Sequence, residues 1–346
     1  MRGAAVHAFP FIEVRGTARQ MGLQHGAQAA PLIGRYLQWI EKLTGRPRQE
    51  LGRRARAFLP AIAALSPRYI EEVAGLADGA GVSFDEALLC QVRGEAAQVP
   101  AEGCTAFAVT GSATRGGVTL AGQNQDLNPE FADLGIVLHL VPSDGRPRAI
   151  VFTFAGQLGY MGMNQHGVAH FANAVGGCPW RLGLPHYPLK RVLLEQPGLT
   201  ECLAILGQHR TCSPANMVLC DGMGAIADVE IRTDGIALYA DTRPEQRLHT
   251  NHYLTPEFAG FQPDPPPDSV TRLERLRQLV EASWGALDVA HLQAIMADHV
   301  GDPGAICRHG EGGSHSICGY LAEPARGLFH VRRGHGCLGT WSTYEV

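Results

Sequence analysis

The sequence predicts an α+β layered fold, stacked antiparallel sheets with helices outside them. Three observations predict it. Apolar positions over the first hundred residues recur at helical spacing, the texture changes after Pro100 to short β runs broken by Gly, Asp and Pro, and helical spacing returns in the second half.

Taken in order, Leu32, Ile33, Tyr36, Leu37, Ile40 and Leu43 fall on one helical face, and Leu51, Ala55, Phe58, Leu59, Ile62 and Leu65 repeat the pattern. Each stripe needs a surface to cover. Ser83-Phe-Asp-Glu86 has the form of a capping box, so a further helix is expected from Ser83 to about Gly94. Strands are expected at Thr105–Thr110, Val118–Gln123, Ile136–Val141 and Ala149–Phe154. Hairpins are expected at Met161–Asn173, turning at Asn164–Gly167, and at Met217–Ile231, turning at Asp221–Gly224. Helices fit Pro188–Gln196 and Thr200–Gln208; Ser269 reads as the N-cap of a helix carrying Leu273, Leu276, Leu279 and Val280; a last helix fits Asp288–Asp298. Ser314–Tyr320 and Leu328–Arg332 complete the strands. No internal repeat is visible.

Composition narrows the function classes. Charged residues make up 18% and the net charge is -4, with no basic block, so a nucleic-acid partner is not expected. No run of about 18 apolar residues and no signal-peptide pattern occurs, which reads as a cytoplasmic protein without a membrane partner. The nine cysteines are irregularly spaced and lack any C-x-x-C pair, so neither a disulfide framework nor a zinc ribbon is indicated. Most are expected to be small buried apolar residues.

Several chemical signatures fail on geometry. His166 and His170, on strand-like residues, stand about 13 Å apart, too far for one metal ion. His309, His315, His330 and His335 lack ligand-like spacing and read as surface or hydrogen-bonded core histidines. Gly222-Met-Gly224-Ala-Ile-Ala227 imitates a dinucleotide fingerprint, but Asp228-Val-Glu-Ile231 continues it as a strand, so a hairpin is expected. No G-x-S-x-G elbow or P-loop is present. No metal and no cofactor are expected.

One junction stands out by its company. Gly103-Cys104 alone says little, because Gly177-Cys178 and Gly336-Cys337 share the dipeptide. However, Glu102-Gly-Cys-Thr-Ala-Phe107 is followed in order by Gly122-Gln-Asn-Gln-Asp126 and His249-Thr-Asn-His-Tyr253. Upstream lie Gly16-Thr17 and Gly22-x-x-His25-Gly26. Downstream lie Gly162-Met-Asn-Gln-His-Gly-Val-Ala169, Pro267-Asp-Ser-x-x-Arg272 and Ile306-Cys-Arg308. Together these segments, spanning nearly the whole chain, resemble the acyl-coenzyme A:isopenicillin N (6-aminopenicillanic acid) acyltransferase family of self-processing N-terminal-nucleophile (Ntn) hydrolases.

The resemblance implies a single αββα four-layer domain over residues 1–346, processed into a mainly helical chain 1–103 and a catalytic chain 104–346. It implies autocatalytic cleavage of the Gly103–Cys104 bond, Cys104 as thiol nucleophile, Asp126 beside the freed amine, Asn251 as oxyanion donor and a positioning role for Thr105. The chemistry is coherent. A thiol near pKa 8.5 needs a base, and an α-amine titrating near pH 8 supplies one on the same residue. Gly103, lacking Cβ, lets its carbonyl approach the thiol closely. The implied substrate is a small N-acyl amide or an acyl thioester such as an acyl-CoA, cleaved or formed through an acyl-Cys104 thioester.

The chain departs from the family in places. The family often has Trp at Gln125, so a β-lactam nucleus is not the expected acceptor. An arginine used near the active site by some members has no counterpart around Glu311-Gly-Gly-Ser314, and Tyr344-Glu-Val346 is not the peroxisomal tripeptide of fungal members. Two other readings stay open: a homologue that binds an acylated ligand without turnover, and a cysteine hydrolase using His249 or His252 as base without self-cleavage.

Overall fold

The computed structural model describes residues 8–92, 103–310 and 314–346. Fourteen strands among these residues form two sheets. In chain order they are β1 (Phe11–Gly16), β2 (Cys104–Val109), β3 (Leu120–Leu127), β4 (Gly135–Pro142), β5 (Ala149–Phe154), β6 (Met161–Asn164) and β7 (Ala169–Asn173). Next come β8 (Ala215–Cys220), β9 (Ile226–Arg232), β10 (Gly235–Leu238), β11 (Gln246–His249), β12 (His315–Glu323), β13 (Leu328–Arg333) and β14 (Thr340–Glu345). One sheet runs β1-β4-β5-β6-β7-β8-β9-β10 and the other β11-β2-β3-β12-β13-β14.

Both sheets are antiparallel except at one edge, where β1 lies parallel to β4 with Phe11 opposite Val137. This corrects two expectations. The leading hundred residues are not wholly helical, and one pair is parallel. Six residues reading Phe-Ile-Glu-Val-Arg-Gly alternate well enough for a strand, but their partner lies over a hundred residues downstream, beyond the reach of local pattern. The strands β10, β11 and β14 are likewise absent from the pattern-based expectation.

Side chains from the two sheets meet face to face: Phe171 of β7 stacks on Tyr320 of β12 with centroids 6.4 Å apart, and Phe152 of β5 lies 5.0 Å from the same tyrosine. The outer face of the six-stranded sheet is covered by the helices Pro267–Ala282 and Val289–Met296, whose Leu273, Leu276, Val280 and Leu292 cluster with Phe107, Val109 and Leu248. Beyond the eight-stranded sheet lie α1 (Ala18–Thr44), α2 (Arg48–Ala55), α3 (Leu59–Leu65), α4 (Pro67–Ala80) and α5 (Phe84–Gln91), with the helices His186–Leu193 and Leu199–Gln208. The result is helices, sheet, sheet, helices, the αββα sandwich.

The upstream motifs serve packing. Thr17 and Gln20 form a capping box that starts α1. A Cβ at Gly22 would stand 2.0 Å from the Glu72 carbonyl oxygen, and one at Gly75 would stand 2.1 Å from that of Arg19, so α1 and α4 touch backbone to backbone. His25 Nε2 accepts from the Gly156 N–H at 3.1 Å, and burial pushes the ring down to about 3, keeping it a neutral acceptor. A buried ion pair joins α4 to the helix His186–Leu193, Arg191 Nη1 donating to Glu72 Oε1 at 3.0 Å.

Other expectations shift slightly. Helix α5 keeps its Ser83/Glu86 box, with the expected end near Gly94 outside the described residues. Ser269 is not an N-cap: the helix begins at Pro267, and the Ser269 hydroxyl instead accepts from the Asn251 N–H at 2.7 Å. Within Gly222–Ala227, Gly222–Ala225 turn the β8/β9 hairpin and Ile226 and Ala227 open β9, so the hairpin is present as expected.

Candidate active site

The two central strands of the six-stranded sheet assemble the site by register. Cys104 opens β2 and pairs with Gln125 of β3, placing the Gln125 Nε2 amide 3.1 Å from the Cys104 Sγ. The next residue, Asp126, points its N–H at the Gly103 carbonyl oxygen, 2.9 Å away, and pairs across the other side with Ser316 of β12. Ser316 Oγ donates to Asp126 Oδ1 at 2.6 Å. Asp126 Oδ2 makes no hydrogen bond and lies 3.9 Å from Arg308 Nη1.

From the loop after β11, Asn251 turns its amide oxygen inward. Oδ1 accepts from the Cys104 N–H at 3.0 Å and from Arg272 Nη2 at 2.8 Å. Its Nδ2 donates to the Ala174 carbonyl at 2.9 Å. Asn251 thus reaches Cys104 as an acceptor, with one of its two amide N–H bonds engaged by Ala174, a different arrangement from the expected oxyanion donor. Arg272, 1% exposed, also donates through Nη1 to the Cys104 carbonyl at 2.6 Å and to Thr105 Oγ1 at 3.0 Å. It fixes Cys104, Thr105 and Asn251 as one unit.

Burial decides the protonation of the core pair. It raises the Cys104 thiol to about 12, with the Asp126 charge adding to the effect, so in the continuous chain the sulfur is a neutral thiol. Burial also lifts Asp126 to about 6, outweighing Arg272, the Ser316 hydrogen bond, Arg308 and Arg332, which all favour its charge.

A cavity of about 570 Å³ opens on Cys104 between the sheets. Cys104, Gln125 and Leu127 line it from one sheet; Ala172, Asn173 and Ala215 line it from the other. Tyr160, Trp180 and Tyr187 supply aromatic wall, and Lys190 Nζ lies 4.4 Å over the Tyr160 ring.

The four residues singled out in the sequence, Cys104, Thr105, Asp126 and Asn251, therefore come together around Gly103. Both histidines of the rival reading are held elsewhere: His249 Nε2 meets Glu230 Oε1 at 3.0 Å and its Nδ1 the Thr250 carbonyl at 2.9 Å, while His252 Nδ1 meets Ser269 Oγ at 2.7 Å. Sequence reasoning missed Arg272, Arg308 and Ser316 as members of the site. Arg272 left a signal, because it sits on the same stripe as Ser269, Leu273, Leu276 and Val280, and a cation on a buried helix face needs partners. Ser316 left none without the strand register. Glu311–Gly313, where the family resemblance would place an arginine, lie outside the described residues; the arginines beside the site come from positions 272 and 308.

Two stacked sheets between helices, with a cysteine opening a central strand, define an enzyme of the Ntn type. The same architecture occurs in conjugated bile acid hydrolase from Clostridium perfringens, two of whose crystal structures superpose with a TM-score of 0.51 at 12% and 14% identity, covering 70% of this chain and 97% of that one. In sequence, the 40 kDa form of acyl-coenzyme A:6-aminopenicillanic-acid-acyltransferase from Emericella nidulans is 25% identical over 306 residues, 86% of this chain and 84% of that protein. The acyl-coenzyme A:6-aminopenicillanic acid acyl-transferase family model matches residues 113–333, and the chain belongs to that family. Among the described residues no helix is long and apolar enough to cross a membrane.

Proposed function

We propose that the chain cuts itself between Gly103 and Cys104 and that the freed Cys104 then carries the acyl group of a small N-acyl amide or acyl thioester, passing it to water or an amine. The observation that carries this reading is the Asp126 N–H held 2.9 Å from the Gly103 carbonyl oxygen, a donor at the distance that stabilises a developing oxyanion.

In the first step the thiol loses its proton to a base, a role assigned to the Asp126 carboxylate because its Oδ2 carries no hydrogen bond. Sulfur adds to the Gly103 carbonyl carbon. The C–N bond breaks, the nitrogen takes the proton, and the product is a thioester between Gly103 and Cys104. Water then releases a Gly103 carboxylate and a free thiol, and Cys104 bears an α-amine. Asn251 Oδ1, already accepting from that nitrogen, would orient the amine as base for the thiol, with Asp126 beside it. Asn251 Nδ2 spends one N–H on the Ala174 carbonyl and keeps a second as the oxyanion donor for turnover; Gln125 Nε2, next to the sulfur, is another amide donor.

For the substrate, the aromatic wall suits an acyl group, and Lys190 in the same cavity favours an acceptor side bearing a carboxylate. N-acyl amino acids are therefore expected to outperform uncharged acylated amines in a mass-readout screen that also includes acyl thioesters.

Denaturing mass analysis tests the first half. Wild type should give two pieces joining at Gly103 and Cys104, with cysteine at the new amino terminus. Cys104→Ala should give one uncut, inactive chain, and Cys104→Ser slow or partial cutting, since a hydroxyl is the poorer nucleophile near neutral pH. A wild-type chain that stays whole at 37.1 kDa and still turns over substrate overturns the proposal and returns the case to a histidine-assisted internal cysteine.

A further inference from the structure

Outside the cavity, four side chains far apart in sequence converge at one corner of the six-stranded sheet. His299 lies just after the helix Val289–Met296, Cys307 and His309 lie on the loop leading to β12, and Cys337 lies in the connection from β13 to β14. One ligand atom from each lies within 4.8 Å of all the others. Cys307 Sγ is 3.9 Å from Cys337 Sγ, Cys337 Sγ is 3.3 Å from His309 Nε2, and His309 Nε2 is 2.9 Å from His299 Nε2.

We infer that these four residues form a Cys2His2 site for a structural zinc ion. With zinc–sulfur bonds of about 2.3 Å and zinc–nitrogen bonds of about 2.0–2.1 Å, the edges of a tetrahedron are about 3.8 Å for S···S, 3.5 Å for S···N and 3.3 Å for N···N. Three of the six edges fall within about half an ångström of those values and the other three are no longer than 4.8 Å, so side-chain shifts of about an ångström would close the four ligands on one centre. A Cys307–Cys337 disulfide would need its sulfurs about 2.05 Å apart, much closer than they stand. Binding a divalent ion releases the two thiol protons to solvent and leaves a neutral Zn(Cys⁻)2(His)2 unit that needs no counter-ion. Four protein ligands fill a tetrahedral shell, which makes the site structural rather than catalytic.

Its consequence for the fold is specific. Arg308 stands between Cys307 and His309, and its Nη1 donates to Asp268 Oδ2 at 3.1 Å beside Asp126. Its backbone exchanges hydrogen bonds with Ser316, the partner of Asp126. The Cys337 connection packs so tightly on the helix end that a Cβ at Gly336 would stand 2.1 Å from the Met296 carbonyl oxygen. A metal at this corner ties the helix end, the Arg308 loop and the β13–β14 connection to one point. Sequence spacing hides the site because ligands at 299, 307, 309 and 337 follow no finger or ribbon pattern, and the expectation of no metal rested on that spacing.

The test uses the full chain, tag removed, expressed with zinc in the medium. Elemental analysis should give about one zinc per chain in wild type and in Cys104→Ala, so the result stands apart from self-cleavage. Cys337→Ser and His299→Ala, both at exposed positions, should lower this to below about a tenth and lower Tm by roughly 5 °C or more, while cobalt(II)-loaded wild type should show tetrahedral thiolate-bound bands. Wild type without metal after incubation in zinc overturns the inference, as does undiminished zinc in a Cys337→Ser/His299→Ala double variant. Recovery of a chain two hydrogens lighter with Cys307 and Cys337 joined also overturns it, in favour of a redox pair.

Discussion

Asp126→Asn, made in a Cys104→Ala chain so that both proteins stay continuous, isolates what the buried carboxylate does to stability. Folding lifts Asp126 from an ordinary value of 3.8 to about 6. Between those pH values the unfolded chain has released a proton that the folded chain still holds, so stability falls as pH rises through the window and the full cost is present above it. A rise of about two pH units at 1.36 kcal/mol each is on the order of 3 kcal/mol. Asn keeps an oxygen for the Ser316 hydroxyl and carries no charge to bury. The Asn chain should therefore be more stable than its Asp parent by about 2–3 kcal/mol at pH 8, with the difference vanishing near pH 4. Urea unfolding of both chains from pH 4 to 8 measures it. A difference that does not change with pH, or an Asn chain that is weaker at pH 8, refutes the reasoning. With Cys104 restored, the same substitution should impair both cutting and turnover. If both are unchanged, Asp126 serves only to close the strand.

Asn251→Ala should lower kcat by about a hundredfold or more in a folded protein, since the amide both fixes the Cys104 nitrogen and carries the N–H that could meet an oxyanion; near-normal kcat would remove Asn251 from the site. Glu72→Ala strands a buried guanidinium whose remaining acidic neighbour is Glu195 at 3.4 Å, and a stability loss of about 3 kcal/mol is expected by denaturant titration. Gly22→Ala drives a methyl into the Glu72 carbonyl and should cost about 1–3 kcal/mol or more, read as a lowered Tm. After cutting, the two pieces should elute together under native conditions, because Ile33, Tyr36, Val73 and Leu76 share a core with Phe152 and Phe154; separation without denaturant would contradict that packing.

The layers were legible because amphipathic helices and short alternating strands write themselves locally. Ala149–Phe154 forms the strand expected of it, and the Ser83/Glu86 box starts its helix. What stayed hidden depends on register and long-range pairing. β1 cannot announce a parallel partner in β4, and Ser316 becomes a partner of Asp126 only once β12 lies beside β3. In the same way, the residue types at Cys104, Asp126 and Asn251 suggest their chemistry, but which atom of Asn251 faces Cys104 is set by Arg272, a helix residue 21 positions away. The histidines divide similarly. His330, between Glu323 and Thr343, is the hydrogen-bonded core residue expected, whereas His309 shares its surroundings with two cysteines and a second imidazole.

The parallel pairing of β1 with β4 has a further consequence for a chain cut at Gly103. The edge strand of the larger sheet then belongs to a different molecule from the strand it pairs with. Folding of the uncut chain is unimolecular, but reassembly of the separated pieces is a second-order reaction that slows on dilution and carries a mass-action penalty absent the first time. The cut enzyme would owe its lifetime to the height of its unfolding barrier, since a piece once lost has no covalent tether to bring it back. Refolding yield should therefore depend on protein concentration for the cut enzyme and not for Cys104→Ala.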